Sequence, residues 1–202
     1  MNMKRILLTL TFILCSLSLT LAQTAREVLD KCAQTVSAPG GVQAQFTMNS
    51  AQYGQADGTI SVKGRKFCAA TGVSTMWFDG TTLWTYMKQN DEVNVSTPNE
   101  QQLQVLNPYN FINLYKQGFD YTMSKTAQTF VVHLTAQAPQ RRVQELFITV
   151  DKNSFAPTEV KMLQKQKWTT FTVSNLKTAT LSDDLFRFNA KDFPTAEVID
   201  LR

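Results

Sequence analysis

His133 is the sole histidine in 202 residues, and it stands between Val132 and Leu134 in a run of alternating polarity. A general base needs a nucleophile to serve and a third group to orient it, and no Gly-x-Ser-x-Gly elbow supplies the nucleophile. The expected place for His133 is the wet face of a strand, with Val132 and Leu134 turned the other way. Asp151-Lys152-Asn153 begins like a calcium loop. Its sixth place lacks glycine, however, and its twelfth is Met162 rather than a bidentate glutamate, so the segment reads as a turn. Asp183-Asp184 reads as a turn or helix cap before it reads as a glycosidase pair. The sequence has no zinc-type Cys/His spacing, no phosphate-cradling glycine loop and no Cys-x-x-Cys. The expectation is a protein that is not an enzyme and needs no metal or cofactor.

Three cysteines remain to be placed. Cys15 falls in the first segment, where Lys4-Arg5, an apolar run from Ile6 to Leu21 and Ala22-Gln23 follow the order of a secretory signal peptide. Cleavage near Ala22 is expected. Leu14 before Cys15 is too large for a lipid-attachment signal, so the mature chain should not itself be lipidated. Residues 1–22 are thus assigned to targeting and 23–202 to one domain, exported to the periplasm and monomeric. Cys32 and Cys68 would meet an oxidising compartment there, and either a disulfide or two separate buried thiols fits their spacing.

Loss of Lys4 and Arg5 takes the basic residues from 20 to 18 against 16 acidic ones, a mature charge of +2. That is too weak a balance for a nucleic-acid partner. The chain has more soft apolar surface than charge to offer: 13 Phe, 5 Tyr, 3 Trp and 7 Met, two of these Met in the targeting segment. Such residues suit a pocket for flexible chains, although a β-rich core would use them equally.

Thr24-Ala25-Arg26-Glu27 forms a capping-box pattern, and Val28, Leu29, Cys32, Ala33 and Val36 recur at helical spacing until Pro39-Gly40-Gly41 stops the run. From Val42 the period becomes two. Strands are expected from Val42, at Gly58–Lys66, Phe67–Ala70, Thr75–Phe78, Thr82–Lys88 and Glu92–Ser96. Further strands are expected at Tyr121–Lys125, Thr129–Ala136, Arg142–Val150, Thr158–Gln164, Trp168–Leu176 and Val198–Leu201. Turns are expected at Asp57-Gly58, Asp79-Gly80, 89–91, 151–153 and 182–184, and connections this short favour antiparallel neighbours. A second helix is expected from the Asn107-Pro108 cap to Gly118, with Phe111, Ile112, Leu114 and Tyr115 as its stripe and Gln101–Leu106 as its approach. The fold class is mainly β with α, a curved antiparallel sheet whose apolar face is covered by a few helices. Alternation puts Phe46 with Met48, Met76 with Phe78, and Trp84 with Tyr86. At least one aromatic pair, with Phe111, Leu114 or Tyr115, is expected to line a cavity between sheet and helices.

Asp79-Gly80-Thr81-Thr82-Leu83-Trp84-Thr85-Tyr86 resembles the Asp-Gly turn and Leu-Trp run of the outer-membrane lipoprotein carrier family (LolA). Val42-Gln-Ala-Gln-Phe46-Thr, Gly58-Thr-Ile-Ser-Val-Lys63 and Phe186-Arg-Phe188 followed by Pro194 and Val198 stand in the same order as in that family. The resemblance implies an incomplete antiparallel barrel closed on one side by helices. It also implies a function: shielding lipoprotein acyl chains between an inner-membrane transporter and an outer-membrane receptor. A module of the same architecture that carries or senses another hydrophobic ligand is the alternative. Family members have an arginine in a Lys-Arg-Pro-like turn before an aromatic pair. Here Lys63-Gly64-Arg65-Lys66-Phe67 runs into Cys68-Ala69-Ala70, which makes Arg65 the candidate for gating and transfer, or else a solvated turn charge.

Overall fold

A computed structural model describes residues 23–52, 54–100, 102–103 and 114–202. The expected targeting segment, the Asn107-Pro108 cap and Phe111 lie outside these residues. The described chain opens on α1 (Ala25–Val36), where Thr24 and Glu27 satisfy each other's backbone N–H groups at 3.2 and 3.0 Å. Its buried stripe is Val28, Leu29, Cys32 and Val36. That stripe needs a partner surface, and the sheet supplies it.

Among the described residues, twelve strands form one sheet. They are β1 (Val42–Ser50), β2 (Gly54–Lys63), β3 (Lys66–Thr71), β4 (Ser74–Phe78), β5 (Leu83–Met87), β6 (Glu92–Ser96), β7 (Phe119–Lys125), β8 (Thr129–Ala136), β9 (Glu145–Asp151), β10 (Pro157–Gln164), β11 (Lys167–Thr178) and β12 (Glu197–Asp200). The spatial order is β12-β6-β5-β4-β3-β2-β1-β11-β10-β9-β8-β7. Two antiparallel meanders, β1 to β6 and β7 to β11, are therefore fused where β11 returns to β1. The last strand, β12, joins β6 in parallel, which only a long excursion between neighbours permits. Both β7 and β12 are edges, so the curved sheet stays unclosed. At Asn175 (φ 52°) the β1–β11 register shifts, a bulge of the kind that sharpens twist and curvature.

Three boundaries differ from the sequence reading by three residues or more. Asp57-Gly58 is no turn: β2 runs through it from Gly54, which pairs with Ser50 at the end of β1. Gly58 serves packing instead, since a Cβ there would meet the Ala70 carbonyl oxygen and stand 2.7 Å from the Phe46 ring of the adjacent strand. The strand expected to run on to Lys66 reverses at Gly64-Arg65, where Gly64 takes φ +58°. The strand expected from Arg142 starts at Glu145.

Cross-strand register sorts the side chains cleanly. Val42, Val62, Phe67, Phe78 and Leu83 lie on one line across β1 to β5, and all are buried. Val132, Ile148 and Val160 continue that face through β8 to β10, beneath α1. Instead of several covering helices, the described residues contain one α-helix with defined bounds, plus helical Glu100, Gln102, Leu103 and Leu114 and two short 3₁₀ turns. One of these turns, Asp183–Phe186, is capped by Ser182.

The opposite face is also covered in its first half. Trp77, Tyr86, Val93 and Val95 register there, and the C-terminal segment lays Phe186, Phe188 and Phe193 across that side. Val93 and Phe186 are fully buried as a result. The cysteines fall on opposite sides of the sheet. Cys32 belongs to α1 and the core, while Cys68 pairs with Trp77 on the outer face. Both thiols are free, so the disulfide alternative is excluded by the sheet between them. Burial pushes Cys32 up to about 12 and Cys68 to about 11.

Candidate functional site

The core face gathers most of the residues expected to hold a ligand. Phe46 and Phe78 are buried there, and Met48 and Met76 are half-buried against the same cluster. Phe46 meets Phe171 edge-on at 6.2 Å, and Phe78 meets Phe67 at 5.5 Å, two aromatic pairs within the one core cluster. Leu114 and Tyr115 reach this cluster from the segment that precedes β7.

Tyr115 does more than fill space. Its ring is 1% exposed, and its hydroxyl donates to Asp30 Oδ1 of α1 at 2.5 Å. Its own carbonyl accepts from the Tyr121 hydroxyl of β7. Tyr115 thus ties α1 to the start of β7. Burial and the neighbouring Asp30 carboxylate both hold its phenol in the protonated form by raising its pKa.

Trp84 and Tyr86 are not part of this surface. They share a face, as alternation requires, but register opposite Val95 and Val93 on the outer side. The Tyr86 ring packs against Phe193 at 4.6 Å and its hydroxyl donates to Asp91 at 3.0 Å. Strands buried on both faces do not reveal by alternation which set faces the core.

Arg65 sits at the β2–β3 reversal, 65% exposed, with Nη2 2.5 Å from Glu100 Oε1. The observed partner is a carboxylate at the start of the helical stretch that contains Gln102 and Leu103. Beside it lies a cleft of about 550 Å³ bordered by Pro39, Lys63, Arg65, Lys66, Asp79 and Asp183. Lys63 and Lys66 hold Asp183 at 2.9 and 2.8 Å, and their hydrogen bonds lower its pKa to about 2.

His133 lies on the outer face, stacked flat on Phe147 at 4.0 Å, with Nε2 2.9 Å from Glu145 Oε2. Neither partner is a hydroxyl or thiol that an imidazole could activate. Asp151 behaves as a turn residue, with its Oδ1 accepting from the backbone of Asn153 and Ser154.

A second cleft, of about 920 Å³, is bordered by Asn99, Gln102, Gln140, Arg141, Arg142, Gln144 and Lys165 among the described residues. Sequence reading passed over it, although Gln140-Arg141-Arg142 is a visible basic step between strands.

The described residues define a class of protein: an incomplete barrel, one curved sheet whose apolar face is closed by a helix. A family model for the outer membrane lipoprotein carrier protein LolA matches residues 16–166, and the chain belongs to that family. Among solved structures it is similar to an uncharacterized conserved protein from Thermus thermophilus. The TM-score is 0.60 at 13% identity, over 88% of this chain and 99% of that one. It also resembles, at a TM-score of 0.44 each, two further proteins. A LolA superfamily protein from Nitrosomonas europaea is 12% identical over 83% of this chain and 99% of that one. A putative outer membrane lipoprotein-sorting protein domain from Vibrio parahaemolyticus is 13% identical over 83% of this chain and 97% of that one. No curated protein matches. Among the described residues, no helix is long and apolar enough to cross a membrane.

Proposed function

We propose that this protein is a periplasmic carrier that takes lipoproteins from an inner-membrane transporter, shields their acyl chains against the core face of its sheet, and yields them to an outer-membrane receptor. The observation that carries this reading is the apolar core face that holds Phe46, Met48, Met76, Phe78, Leu114 and Tyr115, in a chain of the lipoprotein-carrier family. Each buried methylene stabilises the complex by about 0.8 kcal/mol, so acyl chains would be held firmly and release must be driven. A receptor with a stronger apolar surface, or separation of the helices from the sheet, supplies that drive. No bond is made or broken, so the protein is a binder rather than an enzyme.

The test is release of radiolabelled lipoprotein from inner-membrane vesicles, followed by mass spectrometry of what co-purifies with the carrier. Lipoprotein in the soluble fraction is the expected result. A different hydrophobic ligand, with no lipoprotein released, would overturn lipoprotein transport in favour of a general hydrophobic-ligand module. His133→Ala is expected to release lipoprotein as the wild type does. A folded but inactive His133→Ala would bring proton transfer back into the account.

A further inference from the structure

The two ends of the sheet differ in how their cations are held. At the β2–β3 end, Lys63 and Lys66 share Asp183, and Arg65 has Glu100. The opposite end carries the β10–β11 hairpin, where Lys165, Gln166 and Lys167 are all exposed. Among the described residues, none of Lys161, Lys165 and Lys167 forms an ion pair. Of the carboxylates on the flanking strands, Glu145 is taken by His133 at 2.9 Å, and Glu159 stands two residues further from the tip than Lys161. The strand on the hairpin's other side, β1, has no acidic residue. The hairpin is therefore a local excess of positive charge, which attracts anionic surfaces.

The tip is also held in a conformation that its residues do not favour. Lys165 and Gln166 take φ 47° and 62° between the paired Gln164 and Lys167, a two-residue reversal that glycine and asparagine enter readily and longer side chains do not. A less strained residue would close the hairpin as well, yet its outermost point holds a cation. One rung behind the tip, Trp168 pairs with Leu163 on the outer face of the sheet. The Trp168 ring is half-buried, 5.9 Å from Phe147, and the Lys161 ammonium lies 4.6 Å over it. At the same end, in the β3–β4 turn, Val73 is 63% exposed. An indole flanked by lysines has the division that suits a membrane–water interface, with the ring at head-group level and the ammonium groups in the wet layer.

We propose that the β10–β11 hairpin docks this protein on an anionic lipid bilayer, with Lys165 and Lys167 among the lipid phosphates and Trp168 at the level of the head groups. Each lysine near an anionic surface favours partition by about fivefold, and the effect fades within a Debye length. Lysines at an exposed tip gain it, whereas cations already joined to carboxylates contribute little. The contact is weak and reversible, since one indole and three lysines fall far short of an anchoring helix. The inference concerns where the protein meets a membrane and holds whatever fills the core face.

Co-sedimentation of the mature protein with vesicles of phosphatidylcholine alone, and of equimolar phosphatidylcholine and phosphatidylglycerol, tests it. Binding to the anionic vesicles is expected to be at least about tenfold tighter and to weaken with salt. Lys165→Gln/Lys167→Gln should remove most of that preference. Lys165→Asn suits the left-handed backbone better, so it should raise the urea midpoint while lowering vesicle binding, a pair of changes that a purely structural lysine would not give. The emission of Trp168, read as the difference between wild type and Trp168→Phe, should shift to the blue on the anionic vesicles. Equal binding to both vesicles, a preference that survives in the folded lysine variants, or Trp168 emission that does not shift would overturn the docking site and leave the carrier reading standing. No binding to either vesicle, with lipoprotein transfer impaired in the same variants, would overturn it in favour of an acidic protein partner.

Discussion

Arg65 stands in the β2–β3 turn and Asp183 bonds the lysines on either side of it, yet their surroundings give them different work. Both partners of the Arg65–Glu100 pair are largely exposed, and exposed pairs contribute about 0–1 kcal/mol. Arg65 is therefore a poor brace and a good latch, easily opened by a competing group. Arg65→Leu is expected to leave the urea midpoint nearly unchanged, to take up lipoprotein, and to transfer it poorly. Glu100→Gln should share that transfer defect, because it removes the other half of the pair. Normal transfer by both variants would reduce Arg65 to a solvated turn charge. Asp183, by contrast, is held by two lysines and ties the C-terminal segment to β2 and β3. Its pKa of about 2 lies below the ordinary carboxylate value of about 3.9, so the contact is complete above pH 4 and is lost as pH falls through 2. Hydrogen exchange at Leu181 to Phe186 should accelerate over that window and be fast at all pH values in Asp183→Asn. Exchange that does not change with pH would separate Asp183 from the segment's anchoring.

At the level of elements, α1 and most strands were legible because their signals are local: a capping box, a 3.6-residue stripe, and alternation between short turns. Gly58 shows where local reading failed. Asp-Gly is a strong turn signal, but here the glycine is required by the Phe46 ring and the Ala70 carbonyl of neighbouring strands, a contact invisible along the chain. Gly58→Val should force both neighbours apart and destabilise the fold by about 1–3 kcal/mol, read as a lower urea midpoint. An unchanged midpoint would mean that the β1–β2–β3 surface adapts freely. The role of Trp84 and Tyr86 was missed for a related reason. Alternation states which residues share a face but not which face is the core, and in β4 and β5 both are apolar. Thr75–Phe78 and Leu83–Met87 carry large apolar groups at both parities, which is the sequence signal of a strand covered on both sides. What covers the second side, Phe186, Phe188 and Phe193, comes from about a hundred residues further along the chain.

For the whole molecule, the proposed carrier reading assigns the two apolar faces different jobs. The outer face is closed by the chain's own C-terminal segment, whereas the core face is where cargo would sit. The tryptophans report on this division. Trp77 and Trp84 pair with each other on the outer face. Trp168, of opposite parity to the core residue Phe171, packs on that side against Phe147 at 5.9 Å and under the Lys161 ammonium at 4.6 Å. All 3 Trp of the sequence are thus separated from the core face by the sheet. A brominated fatty acid quenches indole only at short range, so its binding to the core face should leave most native tryptophan emission intact. Phe46→Trp places a reporter on the core side, in an aromatic position that tolerates the ring better than a small one would. Its added emission should be quenched strongly and saturably by the same ligand. Native emission quenched as deeply as that of the variant would place the acyl chains under the C-terminal segment instead, against Trp77 and Tyr86, and would move the binding site to the other side of the sheet.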